Sequence, residues 1–102
     1  MYAHDDELQF KYARPASEIA MPFLLRVARE ESERVKSEAT TGCIGELTGL
    51  LTHRTYQSML KGGFPHIAMG MLMSGWLRHF VGNCVEAVIA NILEARLKKG
   101  GA

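Results

Sequence analysis

The sequence predicts an all-α protein, a compact bundle of about four helices with an extended N-terminal arm. After residue 21, apolar residues recur at spacings of three and four, which is the period of helices that bury one face. Prolines and glycines divide this part of the chain into segments of helical length. We expect an arm at 1–21 and a helical domain at 22–102. The predicted helices cover about residues 22–38, 43–61, 66–81 and 84–98.

The composition favours a single folded domain. The chain has 102 residues, of which 47% are hydrophobic and 23% are charged, so it can bury a core. A domain of this length packs to a radius of gyration of about 13 Å. Its formal net charge of +1 argues against a strongly basic nucleic-acid-binding protein and against an acidic mimic of nucleic acid.

The arm at 1–21 shows the alternation of a β-strand. Leu8, Phe10 and Tyr12 alternate with polar residues, which places three apolar side chains on one face of an extended segment. No second strand is evident, so the arm must lie against helices or pair with the arm of another chain. We therefore predict these three residues as the contact residues of the arm, which ends at Pro15.

Proline and glycine mark the boundaries of the first two helices. Pro22 predicts the start of the first helix, because proline fits the first turn and disrupts the interior of a helix. The turn-forming residues at 40–42 separate it from the second helix, which runs over 43–61. The glycine pair at 62–63 closes the second helix as a C-terminal cap.

The segment after Pro65 is too long for one helix of a compact domain. A single helix over 65–98 would have 34 residues and a length of about 51 Å. Gly82 can end a helix in the left-handed conformation, and Asn83 with Glu86 three residues later resembles a capping box. We therefore predict two helices that meet at Gly82.

The third predicted helix is apolar on nearly every side. It must be either the central helix of the bundle or a helix that a second subunit covers. Methionine side chains adapt to irregular surfaces, and obligate interfaces resemble protein cores, so we expect a homodimer. The predicted interface residues are Met69, Met73, Trp76, Leu77 and Phe80.

The residues that can perform chemistry lack the spacing that a helical site requires. Two metal ligands on one helix must lie three or four residues apart, whereas His79 and Cys84 are five apart and His79 and Glu86 are seven apart. Cys43, at a predicted helix start, is the better candidate nucleophile, yet its apolar neighbours favour a packing role. We expect no metal, no cofactor and no catalytic residue.

Cysteine usage and charge indicate a cytoplasmic protein. Cys43 and Cys84 are too few for a disulfide framework and lie in apolar helical patterns, as reduced cysteines do. Residues 1–7 are acidic where a secretory signal is basic. The most apolar stretch, residues 67–77, is about half as long as a membrane-spanning helix, so we expect no membrane contact.

A small adaptor or regulatory protein is the predicted function, non-enzymatic and acting through protein–protein binding as a homodimer. The first alternative is a DNA-binding transcriptional regulator that uses the arm, because a strand followed by two helices outlines a ribbon-helix-helix dimer. Residues 1–40 hold eight acidic and six basic residues, which disfavours phosphate contacts, so nucleic acid is not an expected partner. The second alternative is a small metal-binding protein or enzyme around His79, Cys84 and Glu86.

Overall fold

In the computed structural model the backbone of residues 2–101 is helical, apart from short turns, and forms an α-helical bundle. The structure describes this backbone and the side chains of residues 15–40 and 42–100, and it contains no strand in that range. The predicted all-α fold is confirmed, with five helices in place of about four. The elements are α1 (Tyr2–Glu30), α2 (Ser32–Glu38), a 3₁₀ turn (Thr41–Cys43), α3 (Ile44–Lys61), α4 (Pro65–Met73) and α5 (Trp76–Gly101).

Helix α3 lies at the centre of the bundle. It packs against α1, α4 and α5, and its inward face alternates apolar residues with threonines. The helix predicted over 43–61 is therefore confirmed to within one residue at its start. The largest side chains that the core encloses fully are Val27, Leu47, Thr55, Met59, Leu77, Val81 and Ile89.

The predicted extended arm at 1–21 is wrong, because α1 begins at Tyr2 and continues without a break to Glu30. Pro15 and Pro22, expected to end the arm and to begin a helix, both lie inside α1. Both are exposed, and their separation of seven residues places them on the same side of the helix. The carbonyl groups that lose their N–H donors to these prolines therefore lie on the water-facing side, where the loss costs least.

The alternation of apolar and polar residues at the N-terminus is too short to distinguish a strand from a helix. Leu8 and Tyr12 are also four residues apart, a spacing that fits one face of a helix equally well. The side chains of Leu8, Phe10 and Tyr12 lie outside the described residues, so their role as contact residues stays a prediction. The strand on which the DNA-binding alternative depends is not present in the backbone of residues 2–21.

The helix predicted over 22–38 is interrupted at Glu31. This residue has φ −100° and ψ 12°, and it separates α1 from α2. Its N–H donates to the Val27 carbonyl at 2.9 Å and its own carbonyl accepts from the Val35 N–H at 2.9 Å. The backbone therefore departs from helical geometry at Glu31 with little loss of hydrogen bonding.

Two arginines connect α1 and α2 to the later helices. Arg54 of α3 pairs with Glu30 at 2.8 Å and also with Glu31, at the junction of α1 and α2. Arg96 of α5 donates to the Ala39 carbonyl at 2.8 Å and to the carbonyl of Lys36. Since the last carbonyls of a helix have no partner within the helix, Arg96 caps the C-terminal end of α2.

The predicted break at Gly82 is wrong, and the chain turns instead at Gly75. Helix α4 ends at Met73, and Gly75 adopts the left-handed conformation with φ 80°. Helix α5 then runs through Gly82, where an added Cβ would lie 3.4 Å from Cγ2 of Thr48. Gly82 thus faces Thr48 of α3 from inside α5, and the capping box expected at Asn83 does not form because the helix continues.

The molecule is more elongated than the sequence predicted. Its radius of gyration is 15.1 Å and its principal extents are 50 × 32 × 20 Å, against the expected value of about 13 Å. Helix α5, with 26 residues, is about 39 Å long at the helical rise of 1.5 Å per residue. The long helices therefore determine the overall shape.

Candidate functional site

The first candidate site is the outer side of α4. This helix lies at the edge of the bundle against α3 and α5, and only Ala68 and Met71 are buried. Of the two alternatives for this segment, a central helix or a helix that a second subunit covers, the first is thus excluded. We name its exposed apolar side the α4 face; its members are Ile67 (41% exposed), Met69 (49%), Leu72 (39%) and Met73 (80%).

The predicted interface residues divide into three groups in the structure. Met69 and Met73 belong to the α4 face. Trp76 and Phe80 follow at the start of α5, partly buried, with their rings stacked at a centroid distance of 4.9 Å and an interplanar angle of 10°. Leu77 is 0% exposed and packs in the protein's own core, so it offers no surface to a partner. The interface itself stays a prediction.

Sequence reasoning missed two members of the α4 face. Ile67 and Leu72 are exposed although their residue types favour burial. Because every turn of α4 is apolar, the residue pattern contains no polar side that marks the face in contact with solvent. Only the placement of Ala68 and Met71 against the bundle identifies the outer side.

Charged residues are absent from the sequence around the α4 face. No Asp, Glu, Lys or Arg occurs between Lys61 and Arg78. Gly70, Ser74 and Gly75 are exposed in the same segment, and such small residues allow a second backbone to approach closely. The α4 face is therefore apolar, uncharged and sterically accessible.

The second candidate site is an open groove of about 460 Å³ between α3 and α5. The N-terminal half of α3 forms one wall, and the first three turns of α5 form the other. Glycines line part of both walls, which leaves room for a ligand between the two backbones. The lining residues are Ile44, Gly45, Thr48, Gly75, Arg78, His79, Gly82, Asn83 and Glu86.

The groove brings together two of the three residues proposed for a metal site or enzyme. Because α5 is unbroken, His79 and Glu86 lie two turns apart on the same side, and both line the groove. Cys84 is not among the lining residues, and burial raises the pKa of its thiol. Among the residues whose side chains are described, no three His, Cys, Asp or Glu come close enough to hold a metal ion.

Cys43 has a structural role at the start of α3. Its thiol donates to the Thr40 carbonyl at 2.9 Å, and its sulfur accepts a hydrogen bond from the Thr40 N–H at 3.2 Å. This reciprocal pair closes the 3₁₀ turn before α3, with a cysteine in the place where a capping box usually has a glutamate. The arrangement engages the thiol with the backbone and provides no base to activate it.

Comparison with known proteins identifies no relative for this bundle. The chain matches no known protein family, and no curated protein or solved structure is significantly similar to it. No helix in the described part of the chain has the length and apolar character needed to cross a bilayer. The described residues form a five-helix α-bundle with an exposed apolar edge helix, and its two candidate surfaces are the α4 face and the groove between α3 and α5.

Proposed function

We propose that this protein is a small, non-enzymatic adaptor or regulator that acts through protein–protein binding, and that it assembles as a homodimer through the α4 face. The observation that carries the proposal is the exposure of four large apolar side chains on one short helix. Soluble monomers rarely expose a contiguous apolar patch of this kind unless it binds a partner. The partner of the α4 face is a second copy of the same chain.

The absence of charge supports self-association. In a two-fold symmetric dimer each residue near the axis meets its own copy, so a charge there would face a like charge. No Asp, Glu, Lys or Arg lies between Lys61 and Arg78, and the α4 face avoids this repulsion. An apolar patch without charges is complementary to itself.

The exposure of the α4 face supports the same assembly. Its four apolar side chains are 39–80% exposed, and removal of apolar surface from water contributes about 25 cal/mol per Å². A second copy that covers this face would gain this contribution on both sides of the interface.

The environment of the two thiols supports a role without catalysis. A catalytic cysteine reacts as a thiolate beside a base. Cys43 is hydrogen bonded to the backbone of Thr40, and burial raises the pKa of Cys84, which keeps that thiol protonated at neutral pH.

Met73→Asp tests the homodimer. Met73 is 80% exposed, so the variant should fold normally, but in the dimer it would bury a charge without a partner. We expect the wild type to sediment as a dimer and Met73→Asp as a monomer with an unchanged helical circular dichroism spectrum. Leu97→Asp is the matched control, because Leu97 is 76% exposed near the other end of α5, and it should stay dimeric.

Two results would contradict the proposal. The first is a wild type that sediments as a monomer at micromolar concentration. The second is a dimer that Met73→Asp leaves intact, since the association would then use a different surface.

A further inference from the structure

We propose that Met73 and Met69 on the α4 face are oxidation sites, at which a peroxide converts the thioethers to sulfoxides and thereby prevents association of two copies of the chain. This inference rests on the homodimer proposed above. Met73 is 80% exposed and Met69 is 49% exposed, and they lie on one side of α4 because they are four residues apart. The surface that makes the dimer contact is therefore also the surface that receives the modification.

Exposure distinguishes these two methionines from the methionines of the core. The chain has six methionines. Met59 is 0% exposed and Met71 is 6% exposed, both within the core, and Met21 is partly buried. Because susceptibility to oxidation follows exposure, a peroxide reacts first at Met73 and then at Met69, while the core methionines of the folded bundle stay reduced.

The reaction needs a peroxide as its only co-reactant. A lone pair of the thioether sulfur attacks one oxygen of hydrogen peroxide, the O–O bond breaks, and the other oxygen leaves as water after a proton transfer. The sulfur loses two electrons and the peroxide gains two. The product has a polar, chiral sulfoxide where a flexible apolar side chain stood. The thioethers react in the monomer, since the dimer covers them.

A sulfoxide oxygen on the α4 face meets no free hydrogen-bond donor among the side chains of that face, which are all hydrocarbon or thioether. No Asp, Glu, Lys or Arg occurs between Lys61 and Arg78. The hydroxyl of Ser74, beside the face, already donates to the Met71 carbonyl at 3.2 Å. In the dimer a sulfoxide loses its water without gaining a partner, which is unfavourable. In the monomer it stays hydrated, so oxidation favours the monomer.

Peptide mass spectrometry after brief treatment with hydrogen peroxide tests the selectivity. We expect sulfoxide at Met73 first and at Met69 second, before any appears at Met59 or Met71. In urea the four residues should react at similar rates, because unfolding exposes them all. The rate at Met73 should also fall as protein concentration rises, because the dimer covers this side chain.

Sedimentation of the same samples tests the effect on assembly. We expect a dimer before treatment and, after oxidation of Met73 and Met69, a dimer dissociation constant raised at least about tenfold, as polar groups buried without partners predict. The helical circular dichroism spectrum should not change. Methionine sulfoxide reductases should restore the dimer. Dithiothreitol alone should not, which separates this effect from oxidation of Cys43 and Cys84.

A double variant, Met69→Leu with Met73→Leu, removes the oxidisable sulfur and keeps the face apolar. Leucine has a volume close to that of methionine, so the variant should form the dimer and remain dimeric in peroxide. Met21→Leu is the matched control on α1, and it should dissociate in peroxide as the wild type does. Both variants retain the two thiols of the wild type.

Three results would overturn the proposal. They are oxidation of Met59 as fast as that of Met73 in the folded protein, a dimer that persists with sulfoxides at both exposed positions, and dissociation of the leucine double variant by peroxide. An untreated wild type that sediments as a monomer contradicts the homodimer itself, and the switch with it. Because that measurement precedes any addition of peroxide, failure of the dimer is distinguished from failure of the oxidation sites.

Discussion

At the level of single residues, the main irregularity of the core is a polar row on α3. Thr48, Thr52 and Thr55 are all buried, and the hydroxyl groups of Thr52 and Thr55 have no hydrogen-bond partner. Their spacings of four and three residues place them on one side of the central helix. A buried hydroxyl without a partner keeps its desolvation cost, so this row makes the core less stable than an apolar row would.

Thr55→Val tests the cost of this row. Thr55 is 0% exposed, and valine has nearly the same shape, so we expect the free energy of unfolding to rise by about 1 kcal/mol, measured by urea denaturation. Thr55→Ser is the control, because it keeps the hydroxyl and removes a methyl group, and it should destabilise the protein. A loss of stability in Thr55→Val would show that the hydroxyl has a partner in solution.

Single residues also show why the sequence predicted only part of the candidate sites. Met69 and Met73 were predicted as interface residues because methionine side chains adapt to irregular surfaces, and both are exposed. Leu77 was grouped with them, because a helix without a polar side does not reveal which of its residues face inward. His79 and Glu86 were kept only for the second alternative because a helix end was predicted between them, and the unbroken α5 places both in one groove.

At the level of helices, the predictions succeeded where chain breaks and apolar periodicity agree. Helix α3 has an apolar face and a glycine pair after Lys61, and its end was predicted correctly. The α4–α5 junction was misplaced because Gly75 and Gly82 are both possible breakers by sequence. Their difference is tertiary, since Gly82 packs beside Thr48 while Gly75 adopts a positive φ. Sequence alone does not contain this distinction.

Alanine substitutions test the assignment of the α4–α5 junction. Gly75 has φ 80°, so Gly75→Ala should destabilise the protein by about 1–2 kcal/mol through backbone strain. Gly49 lies within α3, away from the α4 face, with open space around its Cβ position, so Gly49→Ala should stabilise the chain by up to about 1 kcal/mol. Both values are measurable by thermal and urea denaturation, and equal effects of the two substitutions would contradict the junction.

At the scale of the whole molecule, the lengths of two helices determine the shape of the bundle. Helices α1 and α5 have 29 and 26 residues, and each is longer than a compact domain of this mass is wide. The bundle is consequently elongated to 50 Å in one direction. The sequence prediction assumed a compact shape and therefore divided the chain after Pro65 in the wrong place.

The stability of the whole molecule should depend on its concentration. If the folded state is a dimer and the unfolded state is a monomer, the melting temperature rises with protein concentration by mass action. We expect such a rise for the wild type across a hundredfold dilution series and none for Met73→Asp, measured by circular dichroism. A wild-type melting temperature independent of concentration over this range would argue against the dimer.

Arg96 has a consequence for the order in which the chain folds during synthesis. Its guanidinium caps α2 through the carbonyls of Lys36 and Ala39, so the first third of the molecule is completed by a residue near the end of α5. Val81, Val85 and Ile89 of the same helix close the core. In a growing polypeptide, the side of α3 that α5 covers therefore stays in contact with water until α5 has left the ribosome, and the core cannot close before that point.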